Sequence, residues 1–171
     1  MKRIILIGFM GSGKSTLGKK LASRLAIPFI DSDATIEKEC KKSIGELFGE
    51  YGDSHFREIE AHFIRSLYSQ ESFVLATGGG MPCFHANMSL LNNLGTTFYL
   101  ERSPKELMNR LINAKHQRPL IAGLSEEDLL HFIENKLVER EEYYKQASIV
   151  LSRKEQTIDA MERFTLLLHP R

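Results

Sequence analysis

The chain carries Gly8-Phe9-Met10-Gly11-Ser12-Gly13-Lys14-Ser15, followed by Thr16. This fits G-x-x-x-x-G-K-[ST], a glycine loop that acts only between a strand and a helix. The flanks meet that condition. Arg3-Ile4-Ile5-Leu6-Ile7 is a short apolar run of the kind that forms a parallel strand buried on both faces. Behind the loop, Leu17, Leu21 and Leu25 recur at helical spacing. Strand, loop and helix in that order argue against a turn that merely joins two elements. They predict an anion cradle, in which backbone N–H groups turn inward and the helix adds the positive end of its dipole. Lys14 is placed to reach the β- and γ-phosphates of ATP or GTP, and the Ser15 hydroxyl to ligate Mg²⁺. Gly11, Ser12, Gly13 and Thr16 complete the nucleotide cradle.

The remaining chain alternates apolar runs with helical patterns, which predicts a three-layer α/β/α fold in one domain over residues 1–171. Further strands are expected over 27–30, ending at Asp31, and over 73–76, 96–100 and 147–151. Short helices are expected over 35–40 and 44–51. Asp53 can cap a longer helix with Phe56, Ile59, Phe63 and Leu67 on one face. Ser103-Pro104-Lys105-Glu106 marks a helix start, with a capping Ser, Pro at the first position and Glu three residues on. Residues 113–124 read as a polar loop. From Ser125 a helix carries Leu129, Leu130, Ile133, Leu137 and Val138 toward the core, and residues 157–168 form a closing amphipathic helix.

Composition narrows the function. Among 171 residues, 23 Lys plus Arg balance 22 Asp plus Glu, so a net charge of +1 exerts no general pull on nucleic acid or anionic lipid. No apolar run approaches the roughly 20 residues of a membrane span. The passage from Met1-Lys2-Arg3 straight into a strand leaves no room for a signal peptide. Cys40 and Cys83 lack metal-ligand spacing and read as free thiols of a cytoplasmic protein, and the six histidines are scattered. A monomer is the default expectation.

Three further groups carry chemistry. Asp31-Ser32-Asp33 follows the second strand, where strand ends converge on one crevice. Asp31 can assist the metal and Asp33 can orient a substrate hydroxyl and accept its proton, or either can cap the next helix. Gly78-Gly79-Gly80 follows the third strand and permits positive φ and close ligand approach. Arg57 and Glu60 lie one helical turn apart, either as a positioned guanidinium or as an exposed ion pair of little energetic weight.

Together with Arg118-Pro119-Leu120 and Arg140 followed by Tyr143, these motifs resemble the shikimate kinase family over essentially the whole chain. The resemblance implies a five-stranded parallel sheet, a mobile lid over about residues 112–124 and a substrate-binding segment over about 33–61. It implies transfer of the ATP γ-phosphoryl group to the 3-hydroxyl of shikimate with Mg²⁺ held by Ser15 and Asp31, a step toward aromatic amino acids. Asp33 would meet the shikimate hydroxyls, and Arg57 and Arg140 its carboxylate. Backbone over Gly78, Gly79 and Gly80 would complete the pocket, with Phe48 and Phe56 as walls. Arg118 would reach the ATP phosphates from the lid, and Arg110 would lie along the adenine. Around residues 153–157, where the family contacts adenine, this sequence departs from the pattern and assigns no residue. The chemistry fits such a substrate, since arginine meets a carboxylate through two hydrogen bonds.

Overall fold

The computed structural model describes residues 2–112 and 119–168. Five parallel strands, β1 (Arg3–Ile7), β2 (Phe29–Asp31), β3 (Phe73–Ala76), β4 (Thr96–Leu100) and β5 (Ile149–Leu151), pair in the order β2-β3-β1-β4-β5. The alternation of side chains along β1 divides the core in two. Ile4 and Leu6 join the cluster under helices α1 (Lys14–Leu25) and α7 (Ile158–Leu168). Ile5 and Ile7 join the larger cluster under α3 (Ile44–Ser66), α4 (Asn87–Leu94), α5 (Pro104–Ile112) and α6 (Glu126–Tyr144). The sheet is thus covered on both faces, which is why its strands read as unbroken apolar runs. Among the described residues no helix is long and apolar enough to cross a membrane.

The parallel arrangement puts every strand's carboxyl end on one edge. β1 lies between β3 and β4, so the chain leaves it where the strand order reverses and a crevice opens. The glycine loop starts there. Helix α2 (Ser32–Cys40) begins three residues earlier than its apolar pattern suggests, so Asp33 sits in its first turn.

Several boundaries follow local signals. Ser103 and Glu106 form the expected reciprocal cap of α5, with Glu106 N–H to Ser103 Oγ at 3.4 Å and Ser103 N–H to Glu106 Oε2 at 3.1 Å. Ser125 caps α6 through Asp128 N–H at 3.0 Å. Along α6, Leu129, Ile133 and Leu137 are buried, but Val138 is 80 % exposed, because its position has rotated off the stripe. Helix α4 has no side-chain cap to signal it in the sequence, its N-cap being Ala86.

The expected break between two helices near residue 52 is present as a kink inside α3. Gly52 there has φ 80° and ψ 172°, a region essentially closed to L-residues. A side chain at position 52 would meet nothing within 4 Å. Its cost is therefore backbone strain alone. Gly52→Ala is expected to lower the unfolding free energy by about 1–3 kcal/mol, measured by urea denaturation; unchanged stability would show that the kink tolerates an ordinary residue.

Candidate active site

The glycine loop, the end of β2, the segment after β3 and the helices α3 and α6 meet at the carboxyl edge of the sheet. Gly13, with φ 103°, occupies the N-cap of α1, and Lys14 opens the helix. The Lys14 ammonium folds back across the loop, donating to the carbonyls of Gly8 at 2.7 Å and Phe9 at 2.9 Å. Ser15 Oγ donates to Asp31 Oδ2 at 2.7 Å, while Asp31 Oδ1 accepts from Ala34 N–H at 3.4 Å and caps α2. The two uses that the sequence leaves open for Asp31 are therefore compatible, one oxygen for each. Gly11, Gly13, Lys14, Ser15, Thr16, Asp31, Asp33 and Arg110 line a cavity of about 410 Å³.

A second cavity, of about 220 Å³, is walled by Phe48, Phe56, Arg57, Glu60, Leu120 and Arg140. The two cavities share Met10, Asp33, Gly78 and Gly79. Asp33 stands at the junction. Its Oδ1 accepts from Ser32 Oγ at 3.2 Å, and Ser32 Oγ in turn accepts from Gly78 N–H at 2.7 Å. Burial, and then the neighbouring charge of Asp31, raise the Asp33 carboxyl above its ordinary range, with Lys14 opposing.

Arg57 is no exposed ion-pair partner. Its side chain is 11 % exposed and that of Glu60 only 2 %. Arg57 Nη1 donates to Glu60 Oε2 at 2.8 Å, and Nε at 3.1 Å and Nη2 at 3.0 Å both point to Asp53 Oδ1. Asp53, expected as a helix cap, thus holds Arg57. Burial pushes the Glu60 carboxyl up to about 7, against the pull of Arg57.

The glycines at 78–80 differ from expectation. Among the described residues, glycines with positive φ are found at 8, 11, 13, 52 and 123, not here. Positions 78 and 80 are bare because charged side chains crowd against them, whereas a Cβ at 79 would meet only ordinary contacts. A Cβ at Gly78 would overlap Asp33 Oδ1; one at Gly80 would stand 3.0 Å from Arg57 Nη1, and one at Gly79 3.4 Å from Arg140 Nη1. The Gly79 carbonyl accepts from the hydroxyl of Tyr144. That residue is buried against Tyr99 one turn beyond Arg140 and carries a contact for which the sequence assigns no residue.

A family model described as shikimate kinase matches residues 10–168. A shikimate kinase from Bacteroides fragilis is 47% identical over 150 residues, covering 88% of this chain and 84% of that one. The crystal structure of shikimate kinase from Bacteroides thetaiotaomicron superposes with a TM-score of 0.90 at 41% identity, covering 98% of each chain. A solved structure of shikimate kinase from Acinetobacter baumannii in complex with shikimate superposes with a TM-score of 0.82 at 30% identity, covering 98% of this chain and 93% of that one. The chain belongs to the shikimate kinase family.

For a member of the shikimate kinase family, two placements remain. Arg118 lies outside the described residues, as do residues 113–117 of the expected lid; of the lid residues that are described, Ile121 is buried and Leu120 is 71 % exposed beside the second cavity. Arg110 reaches the glycine loop and, with Ser12, Thr16, Arg102 and Gln156, lines a smaller recess of about 130 Å³. Arg102 and Gln156 escaped the sequence reading. Gln156 Nε2 donates to the carbonyls of Glu101 at 2.7 Å and Leu151 at 2.9 Å, while its Oε1 is buried with no partner among the described residues. No local motif marks either residue; only the turn after β5 brings them together.

Two outcomes are expected. Gly78→Ala should displace the Asp33 carboxylate and lower kcat at least tenfold on the order-of-magnitude scale of a misplaced reacting group, with ATP affinity retained; steady-state kinetics and nucleotide titration measure both, and a wild-type kcat would contradict the crowding. Glu60 binds its proton more tightly folded than at its ordinary value of 4.5, so its contribution to stability is full below about 4.5 and is lost as pH rises through about 7. Glu60→Gln should therefore gain stability relative to the wild type across that window in urea denaturation; parallel curves would refute the shift.

Proposed function

We propose that the chain transfers the γ-phosphoryl group of ATP to the 3-hydroxyl of shikimate, a step of aromatic amino-acid (chorismate) biosynthesis, with the residues above in defined roles. The observation that supports this most directly is Asp33 at the junction of two cavities, one walled by the glycine loop and the other by Arg57 and Arg140. Phosphoryl transfer needs an in-line acceptor oxygen and little covalent help from the protein. A ring carboxylate gripped by Arg57 and Arg140, over the bare backbone of Gly78, Gly79 and Gly80, leaves its hydroxyls pointing toward Asp33. Asp33 then orients the 3-hydroxyl and takes its proton as the new P–O bond forms.

The ATP phosphates are held by the glycine loop over Gly11, Ser12 and Gly13 and by the first helical residues Ser15 and Thr16, while the Lys14 ammonium reaches the β- and γ-phosphates and neutralises charge on the transferring group. We assign the family's divalent metal, as Mg²⁺, to Ser15 and Asp31. Both offer hard oxygen, and Mg²⁺ keeps most of its waters and takes phosphate oxygens as further ligands, so it needs no protein-only cage. When bound it draws charge from the phosphate oxygens. Arg110 with Arg102 and Gln156 takes the nucleotide base, the orphaned Gln156 Oε1 suiting an exocyclic amine. Arg118, carried by a lid over about 112–124, completes the charge on closure and excludes water. Segment 33–61 forms the substrate side of a single catalytic unit, which we place in the cytoplasm as a monomer.

The test is an acceptor screen by ADP release with Mg²⁺ and ATP. Shikimate should support turnover while gluconate and nucleoside monophosphates do not; the reverse pattern would overturn the reading. Asp33→Asn should lower kcat by roughly 10²–10⁴. An effect confined to KM would make Asp33 a positioning group.

A further inference from the structure

Arg57 already has two carboxyl groups, those of Asp53 and Glu60, on its edges. A third carboxylate can be gripped only if the planar head keeps one edge turned to the cavity instead of rotating fully onto its neighbours. Edges in a guanidinium donate and faces do not, so the hydrogen bonds to Asp53 and Glu60 set which edge stays free and a ring over the head sets the plane in which that edge is offered. The aromatic contacts decide this. The rings of Phe48 and Phe56 lie 5.4 Å from the guanidinium carbon, at the cavity wall. The ring of Phe84 lies nearer, at 4.0 Å, and is not among the residues that line the cavity.

Phe84 is held there by an unusual backbone. After the short turn Met81–Cys83 the chain places two consecutive non-glycine residues, His85 (φ 49°) and Ala86 (φ 56°), in the left-handed region. Such a conformation is costly for L-residues and persists only where its surroundings enforce it. Buried Asn87 supplies the enforcement. Its backbone N–H donates to the Phe84 carbonyl at 2.8 Å and its Nδ2 to the Met81 carbonyl at 2.9 Å. The product of that strain is a large ring, 36 % exposed, against which a charged group is laid.

We propose that Phe84 is a positioning residue for acceptor binding: its ring, presented by the strained His85–Ala86 turn, caps the Arg57 guanidinium and keeps one edge aimed at the incoming carboxylate. This rests on the reading of Arg57 as the carboxylate grip. Water is excluded from the capped face, which strengthens attraction at the free edge. Phosphoryl transfer itself should be untouched, since Phe84 lines neither of the two cavities that Asp33 joins.

The experiment compares Phe84→Ala, Phe84→Leu and Phe84→Tyr by steady-state kinetics and thermal denaturation of the full chain. Phe84→Ala should raise KM for shikimate roughly three- to tenfold, the scale of a partly exposed cation–π contact. KM for ATP and kcat should stay within about twofold. Phe84→Tyr should restore the wild-type KM, and Phe84→Leu should not, because it keeps the bulk without the π-face. In an Arg57→Ala background, Phe84→Ala should add no further loss. An unchanged KM in Phe84→Ala, rescue by Leu, a parallel loss of ATP binding and melting temperature, or full additivity with Arg57→Ala would each overturn the proposal while leaving shikimate turnover intact. No turnover of shikimate by the wild type would remove the parent reading, and this one with it.

Discussion

The backbone from Thr77 to Gly80 has three charged side chains pressed onto it, and the rest of the site is arranged around that crowding. Asp33 occupies the space that a side chain at 78 would take, Arg57 that at 80, and Arg140 closes on 79. An ordinary residue at 78 or 80 would push a charge away from the line joining the two cavities. The strand β3 delivers this bare segment because it lies between β2, which carries Asp31, and β1, which feeds the glycine loop. Sheet order thus decides which charges meet.

Gathering charges in a partly dry crevice has an electrostatic cost, and the chain carries it visibly. Asp33 and Glu60 are both held above their ordinary ranges, mainly by burial. Buried ion pairs seldom stabilise a fold more than apolar packing would. Here Arg57 meets two carboxylates at 2.8–3.1 Å, so the guanidinium is fixed before any ligand arrives. Preorganisation of that sort lowers the ordering cost of binding. The same reasoning applies to Tyr144, whose hydroxyl ties the end of α6 to the Gly79 carbonyl and so seats Arg140 against the triplet.

Strain falls in the same neighbourhood. Gly52 lies in a conformation that glycine alone tolerates, one residue before Asp53, and His85 and Ala86 are left-handed just beyond the triplet. The first bend leads into Asp53 and the second follows Phe84, both of which contact Arg57. A conformation of this kind survives only when neighbouring hydrogen bonds over-determine it, as Asn87 does for the second bend.

How much of this was readable beforehand depends on the range of the interaction. The glycine loop, the apolar strands, the Ser103–Glu106 cap and the pairing of Arg57 with Glu60 rest on contacts within a few residues, so spacing and residue type announced them. The sequence therefore determined an α/β chain with a phosphate cradle after its first strand. Whether Arg57–Glu60 is buried, why positions 78 and 80 are bare, and that Tyr144 ties down the triplet were decided by tertiary structure. So was the recruitment of Arg102, Gln156 and Phe84. Each depends on side chains that are far apart along the chain occupying the same few cubic ångströms, and that exclusion acts only once the parallel sheet has brought its carboxyl ends to one edge.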